Sequence, residues 1–306
     1  MPPNLLQFNP PIGIAEPLGQ DVRRIVAPNA SPMTFRGTNT YVLGSRRLAV
    51  IDPGPNNKEH LRAIMQAVGP DQMISHILVT HAHIDHSPLA SELSLKTGAP
   101  VFAFGPASAG RSAVMQRLFD AGLAGGGEGI DNDFCPDIVV SDQAKILGDG
   151  WQLTALHTPG HIGNHLCFQY QSSLFTGDLV MGWASSLVSP PDGDLTDFMQ
   201  SCRRLQNTRW EVFHPGHGAS VTAPNDRLAW LLAHRLQREA SILAQLSDAP
   251  ATASNLASQI YCAIPAALQH AATRNVLAHL IDLTQRQLIC PLGSLSQDVA
   301  FEIMTV

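Results

Sequence analysis

Charge is scarce in this chain: Asp, Glu, Lys and Arg make up 14% of its 306 residues, and the net balance is −6. Such a chain exerts no global pull on a polyanion, so a nucleic-acid partner would need a local groove. Long apolar runs are also missing, and none approaches the ~18 residues of a membrane span. The opening Met1-Pro-Pro-Asn-Leu-Leu-Gln-Phe-Asn-Pro-Pro11 has neither the basic segment nor the apolar stretch of a secretory leader. A protein of the cytoplasm is expected. The five cysteines (Cys135, Cys167, Cys202, Cys262, Cys290) are widely spaced and form no Cys-x-x-Cys pair. That speaks against a disulfide framework and for reduced, mostly buried thiols. The glycine-rich stretch Ala121 to Asp137 is not followed by Gly-Lys-Ser/Thr, so a mobile surface loop is expected there in place of a phosphate cradle. No Ser/His/Asp arrangement asks for a covalent nucleophile.

What is present is a chain 44% apolar, enough for a substantial core in one large domain, or in a large and a small one. Strand patterns at 40–43 and 48–51 end at the turn Asp52-Pro-Gly54; helical spacing runs from Lys58 to Val68 and stops at Gly69-Pro70. A continuous apolar run, Ser75 to Thr80, reads as a strand covered on both faces. A helix over 88–96 capped by Gly98 and a strand over 100–104 follow, which makes an α/β pattern. Segments 138–140, 145–147, 151–156 and 165–170 alternate as antiparallel strands do. From Asn225 the composition changes. Helices over 226–246, 253–261 and from Pro265 to about Gln285 precede a tail expected to form a two-stranded wing. The division is therefore 1–224 for a large α/β unit and 225–306 for a small winged-helix-like one. The small unit carries five Arg and no Lys against four Asp and two Glu, so a duplex-DNA reader with a basic stripe is disfavoured, and a packing or substrate-framing role is expected.

The chemistry is concentrated in Thr80-His-Ala-His-Ile-Asp-His-Ser87, which places His81, His83, Asp85 and His86 within six positions after the apolar run. With 13 His and 18 Asp in the chain, His-x-His-x-Asp-His would arise in roughly one random chain per thousand, so chance is set aside. These groups would repel and desolvate one another without a cation among them. Three more candidates stand at strand-to-loop transitions: His161 after Thr158-Pro-Gly160, Asp178 after Thr176-Gly177, and His217 within Pro215-Gly-His-Gly218. Glycine adjoins each, letting the backbone approach a crowded centre. Seven nitrogen and oxygen donors suit two metals, with Zn²⁺ favoured by imidazole plus carboxylate and Mn²⁺ or Fe²⁺ as alternatives.

These motifs, in this order, resemble the metallo-β-lactamase superfamily over roughly Gly37 to Val221. The resemblance implies an αββα sandwich in which His81, His83 and His161 hold one metal, Asp85, His86 and His217 hold the second, and Asp178 bridges. Gly37-Thr-Asn-Thr-Tyr-Val-Leu43 and the winged-helix-like tail are similar to the β-lactamase-like protein 2 subgroup, whose eukaryotic member is a single-strand-specific endoribonuclease. Class B lactamases generally lack the Asp-His half of the motif or replace the bridging Asp by Cys, and flavodiiron proteins carry Glu at the position of His83. Antibiotic hydrolysis and redox chemistry are accordingly disfavoured. The family's usual Gly-Gly after the motif is Ser87-Pro88 here.

The expected activity is hydrolysis by a hydroxide bridging two zinc ions, with Asp85 and Asp178 as catalytic carboxylates and single-stranded RNA as the substrate. A hydroxyacylglutathione-type thioesterase or lactonase acting on a small ester or thioester is the alternative. A metal-dependent winged-helix regulator is the alternative of another class. Asp52 is expected either to orient a ligand histidine or simply to form its turn, and His165 either to support the ligands or to pack in its strand. His60, His76, His157 and His214 are expected to be structural or exposed, Ser185 and Ser186 to border the cleft. Arg203, Arg204 and Arg209 offer a basic patch or a solvated helix face.

Overall fold

The computed structural model describes residues 8–19, 21–126 and 129–304; Met1 to Gln7 of the opening segment and Gly127 of the glycine-rich stretch lie outside the described residues. The first half lays down a seven-stranded sheet in chain order: β1 (Glu16–Gly19), β2 (Val22–Val26), β3 (Asn39–Leu43), β4 (Arg47–Ile51), β5 (Met73–Leu78), β6 (Val101–Ala103) and β7 (Ile138–Val139). Pairing is antiparallel from β1 to β4 and parallel from β4 to β7. Parallel neighbours need crossovers. α1 (Lys58–Gln66), α2 (Leu89–Thr97) and α3 (Ala113–Asp120) lie in those connections. Asn57 caps α1 by accepting from the amides of Glu59 and His60, and Gly98 ends α2 at φ +73°, where a side chain would be strained.

A five-stranded sheet follows: β8 (Lys145–Leu147), β9 (Gln152–His157), β10 (Leu166–Tyr170), β11 (Ser173–Gly177) and, after helix α4 (Leu195–Gln206), β12 (Val212–Pro215). Alternation along the strands sorts their side chains into layers. Val42, Leu48 and Val50 point outward to Leu61, Ile64 and Leu93 of α1 and α2. Tyr41, Leu43, Ala49 and Ile51 point inward and meet Leu153, Ala155, Phe168 and Phe175 of the second sheet. Leu156, Cys167, Leu174 and Phe213 face outward again, onto Phe198, Met199 and Cys202 of α4. Helix, sheet, sheet, helix is the expected sandwich.

The C-terminal unit comprises α5 (Pro224–Asp248), β13 (Ala251–Thr252), α6 (Ala253–Ile260), a 3₁₀ turn at Ala266–Leu268, α7 (Gln269–Gln285), β14 (Ile289–Pro291) and β15 (Ala300–Ile303). Its sheet has three strands where two were expected, because Ala251 and Thr252, just after α5, pair antiparallel with β15. Nor is the join between the units a linker. α5 contributes Leu228, Leu231 and Leu232 to the core beneath α4, and Ile242 and Leu246 to a separate core with Leu256, Val276, Leu280 and Phe301. One helix thus belongs to both hydrophobic cores, and Met115 and Leu123 of the large unit enter the second. All five cysteines are unpaired, and among the described residues no helix is long and apolar enough to cross a membrane.

Candidate metal centre

Four strand ends converge on one edge of the sandwich. His81 to His86 follow β5, His161 follows β9, Asp178 follows β11 at once, and His217 follows β12. Their ligand atoms form three clusters, each with all members within 4.8 Å: His81, His83 and His161; His81, His86 and Asp178; Asp85, His86 and His217. Asp178 stands between the outer two. Its Oδ2 is 3.3 Å from His217 Nε2 and 3.8 Å from His161 Nε2, while its Oδ1 is 3.5 Å from His86 Nε2. All seven sequence candidates are therefore brought together. Close approach depends on glycine at the two parallel strand ends: a Cβ on Gly216 would collide with Asp178 Oδ1 and come within 2.7 Å of His86, and one on Gly177 would come within 2.8 Å of Thr80 Oγ1.

Four of the five rings are aimed by what the other nitrogen touches. Asp52, at the end of β4, accepts from the Thr80 amide at 2.7 Å through Oδ1, and through Oδ2 from Thr80 Oγ1 at 2.8 Å and His86 Nδ1 at 2.9 Å. With its proton spent on Asp52, the Thr80 hydroxyl accepts from His81 Nδ1 at 2.8 Å. His161 Nδ1 donates to the Leu187 carbonyl at 2.7 Å, and His217 Nδ1 to that of Gly37 at 3.2 Å. Four rings are thus held with Nε2 free for the cluster, and His83 offers Nδ1, 3.0 Å from His161 Nε2. Asp52 therefore supports two ligand histidines, Thr80 relaying to one of them. Thr80, Gly37 and Leu187 were not singled out from the sequence. Thr80 precedes the motif and was open to suspicion; the other two act through carbonyls, which carry no side-chain signature.

Burial holds His81 well below the usual imidazole range, reinforced by His86 and His83, and takes His83 down to about 3. These rings are neutral and keep their lone pairs. Burial would lower His86 and His217 too, but carboxylates prevail: Asp85, Asp178 and Asp52 raise His86 well above its usual range, and Asp178 and Asp85 raise His217 to about 9. Burial opposes ionisation of Asp85 and Asp178 in turn, yet His86 and His217 hold both well below the usual carboxylate range. His81 and His83 thus form a neutral pair, while His86 and His217 are charge-paired with Asp85 and Asp178. His81 Nε2, His86 Nε2 and Asp178 Oδ1 are buried without a hydrogen-bond partner, each at a cost of about 1–3 kcal/mol. Orphaned donors of this kind, converging on one point, fit divalent cations.

The four histidines expected to be structural or exposed serve packing. His60 bonds Thr40 Oγ1 at 2.7 Å, His157 stacks on Phe104 at 3.8 Å, His76 lies on Phe102 and Trp151, and His214 rests against Tyr41 and Phe175. His165 is buried against His81, bonded to Thr158 through Nδ1, and belongs to none of the three clusters. The described part of the glycine-rich stretch is tethered at three carbonyls: that of Gly129 accepts from the Ile84 amide at 2.8 Å, and those of Ala124 and Gly126 face Arg274 and His270. Most of its described residues are exposed, as those of a surface loop are, and Gly129 alone of the stretch borders the cleft.

A cleft of about 490 Å³ opens over the cluster. Met33, Ile84, Met181 and Trp183 line it from the sandwich, with Ser185 at its border; Tyr261, Ile264 and Leu268 line it from the C-terminal unit. Ser186 is turned away, its hydroxyl on the Leu179 carbonyl. Neither Lys nor Arg lines the cleft among the described residues, and Arg203, Arg204 and Arg209 lie elsewhere. Arg204 is tied to Asp142 and the His157 carbonyl.

A family model described as the metallo-beta-lactamase superfamily matches residues 33–217, and one described as the beta-lactamase associated winged helix domain matches residues 252–294. Among curated proteins, the chain is similar to a beta-lactamase-like protein 2 homolog of Caenorhabditis elegans, 28% identical over 271 residues, covering 85% of this chain and 83% of that one. It is also similar to an atrochrysone carboxyl ACP thioesterase of Aspergillus fumigatus, 27% identical over 241 residues, covering 76% of this chain and 66% of that one. A solved metallo-beta-lactamase family protein from Thermus thermophilus shares the fold at a TM-score of 0.74 and 23% identity, covering 94% of this chain and 100% of that one. With the first match spanning more than half of its length, this chain belongs to the metallo-beta-lactamase superfamily and carries that family's associated winged helix domain at its C-terminal end.

Proposed function

We propose that the protein is a dinuclear zinc hydrolase, with Mn²⁺ or Fe²⁺ as alternative ions, and that its substrates are esters or thioesters with an uncharged, apolar acyl part. The observation that carries this reading is the cleft: an apolar wall on both sides, a ligand cluster at its base, and neither Lys nor Arg along it among the described residues. Beyond the ions at the base, a phosphodiester chain passing through would find no Lys or Arg to pair with its flanking phosphates. An apolar acyl group would bury against Trp183, Ile264 and Leu268 and gain about 25 cal/mol per Å² removed from water. The thioesterase named among the similar proteins supports the same choice.

In this reading His81, His83 and His161 would hold one ion and Asp85, His86 and His217 the other, with Asp178 serving both. When bound, such ions lower the pKa of bound water toward ~7 and offset negative charge developing on the scissile group. The chain's own part is positional. Asp85 Oδ2 accepts from the Thr38 hydroxyl at 3.2 Å and lies 3.1 Å from His217 Nε2, which places it among the ligand atoms. We assign to its Oδ1 the orientation of the attacking water and acceptance of its proton. The apolar walls exclude bulk water and align the acyl carbon over the cluster.

The same proposal takes 1–224 as the catalytic unit, 225–306 as the substrate-framing one, and a reducing compartment, the cytoplasm, as the site of action. The arginines of the C-terminal unit support framing over nucleic-acid reading. Arg227 and Arg235 bond carbonyls of the large unit, Arg274 bonds Ser189 and Gln297, and Arg286 is paired with Glu239 and Asp282. Few charges remain to meet phosphate.

The test is a panel of aryl and alkyl thioesters, lactones and single-stranded oligoribonucleotides offered to zinc-loaded and manganese-loaded protein. Turnover of the apolar thioesters is expected. Cleavage of the oligoribonucleotide with thioesters left intact would overturn the substrate assignment, and full activity in metal-free protein the mechanism. Tight duplex-DNA binding without turnover of anything would favour the regulator.

A further inference from the structure

The segment from Met181 to Ser189 leaves Asp178 and returns past the cleft to the side of His161. Three side chains of the C-terminal unit grip it by four backbone groups. Arg227 of α5 donates to the carbonyls of Met181 at 2.7 Å and Ala184 at 2.6 Å. Arg235, further along α5, donates to the Ser186 carbonyl and, at 2.9 Å, to Asn275 Oδ1 on α7. That same Oδ1 accepts from the Val188 amide at 3.1 Å. Leu187 is therefore pinned on both sides, at 186 and at 188, and its carbonyl is the one that takes the His161 Nδ1 proton at 2.7 Å.

We propose that Arg235 and Asn275 are positioning residues for the metal ligand His161. They belong to the C-terminal unit and act at one remove, by fixing the Leu187 carbonyl that sets the tautomer and aim of the ring. The proposal rests on the dinuclear reading above and adds to it a route by which the appended unit reaches the metal centre. The physical basis is that a ligating histidine needs its second nitrogen satisfied by a fixed acceptor. Here the acceptor is a loop carbonyl with no strand behind it. What makes it rigid is a buried guanidinium, 1% exposed and lying over the Phe198 ring, whose displacement would leave charged donors unsatisfied. Asn275 is the joint of the arrangement, because one oxygen serves both the Arg235 side chain and the Val188 amide. Not every bond between the two units does this: Thr196 of α4 donates to Asp282 of α7 without touching the 181–189 segment.

The experiment measures metal affinity by chelator competition, and the visible spectrum of the cobalt-substituted protein, for wild type, Asn275→Ala, Asn275→Asp, Arg235→Lys and Thr196→Val. Asn275→Ala is expected to weaken one of the two metals about tenfold, the lower end of what loss of a ligand's supporting bond costs, to alter the cobalt spectrum and to lower kcat. Asn275→Asp keeps the double acceptor and should restore all three. Arg235→Lys reads the same effect should Asn275→Ala fail to fold, and Thr196→Val should leave metal affinity unchanged. Wild-type affinity and spectrum in Asn275→Ala, with only KM altered, would make Asn275 a mere cleft wall and overturn the proposal. So would an equal loss of metal in Thr196→Val. Wild-type protein that binds two metals yet leaves every thioester intact overturns the substrate reading alone. Wild-type protein that binds fewer than two removes the dinuclear centre and this inference with it.

Discussion

The base of the cleft and its far wall are made of different materials. At the base, buried histidines and carboxylates hang from strand ends, four of the five rings tied by the second nitrogen to a fixed partner. The far wall is a half-buried apolar surface, Tyr261, Ile264 and Leu268, on a turn between two helices of the C-terminal unit. Orientation at the base is over-determined, as chemistry on a fixed scissile bond requires. The wall offers area without direction, which suits discrimination by size and polarity. Catalytic loss should therefore follow changes at the base, and altered substrate choice changes at the wall.

The largest effect tests the base. Asp178→Ala removes the carboxylate that lies between both halves of the cluster, and turnover by metal-reconstituted protein should fall on the order of a thousandfold, several kcal/mol of electrostatic stabilisation. The C-terminal core, which shares no side chain with Asp178, should still unfold cooperatively by circular dichroism. Activity within tenfold of wild type would remove Asp178 from the centre. Asp52→Ala comes next. It strips support from His86 directly and from His81 through Thr80, so metal affinity by chelator competition should weaken 10- to 100-fold, with KM for residual turnover little changed.

The two regions also differed in how far they could be read from sequence. The base was legible because metal ligands must be particular residue types at particular spacings: four of the seven candidates fall within six positions, and the other three stand beside glycines that crowding makes necessary. The wall was not: Tyr261, Ile264 and Leu268 are ordinary apolar residues whose position over the cluster depends on how α5 docks. Among the elements, β3 to β6 and α5 to α7 announced themselves by periodicity and caps. β13 did not, since two residues carry no period. α4 went unread although Asp194 caps it and Leu195, Phe198, Met199, Cys202 and Leu205 are spaced as one helix face. Leu187 and Gly37 act through backbone carbonyls, and no sequence pattern betrays a carbonyl.

At the wall, a double change Ile264→Ala with Leu268→Ala should raise KM for a long-chain acyl thioester about tenfold, one to two kcal/mol of lost apolar burial. It should leave kcat, and KM for the acetyl thioester, as they were. A drop in kcat for both substrates would mean that the wall also aligns the reacting atoms, and the division between the two regions would dissolve.

The smallest effect concerns the scaffold behind the base. His60 Nε2 donates to Thr40 Oγ1, whose own proton goes to the Asp52 carbonyl at 2.6 Å, and burial lowers the His60 pKa to about 4. The unfolded chain titrates this ring near 6.5, so between pH 6.5 and 4 the unfolded state binds more protons than the folded one. Stability through His60 is therefore complete above pH 6.5 and is lost as pH falls through that window. Between pH 7 and 5.5 the loss is about 1 kcal/mol. Gln offers an amide donor in place of Nε2 and does not titrate. Urea midpoints of metal-stripped His60→Gln should thus fall less between those two pH values than wild-type midpoints do, with nearly equal midpoints at pH 7. Equal pH slopes in the two proteins would show that His60 is free to protonate in the fold. The bond from α1 through Thr40 to the Asp52 turn would then do nothing to hold the base rigid.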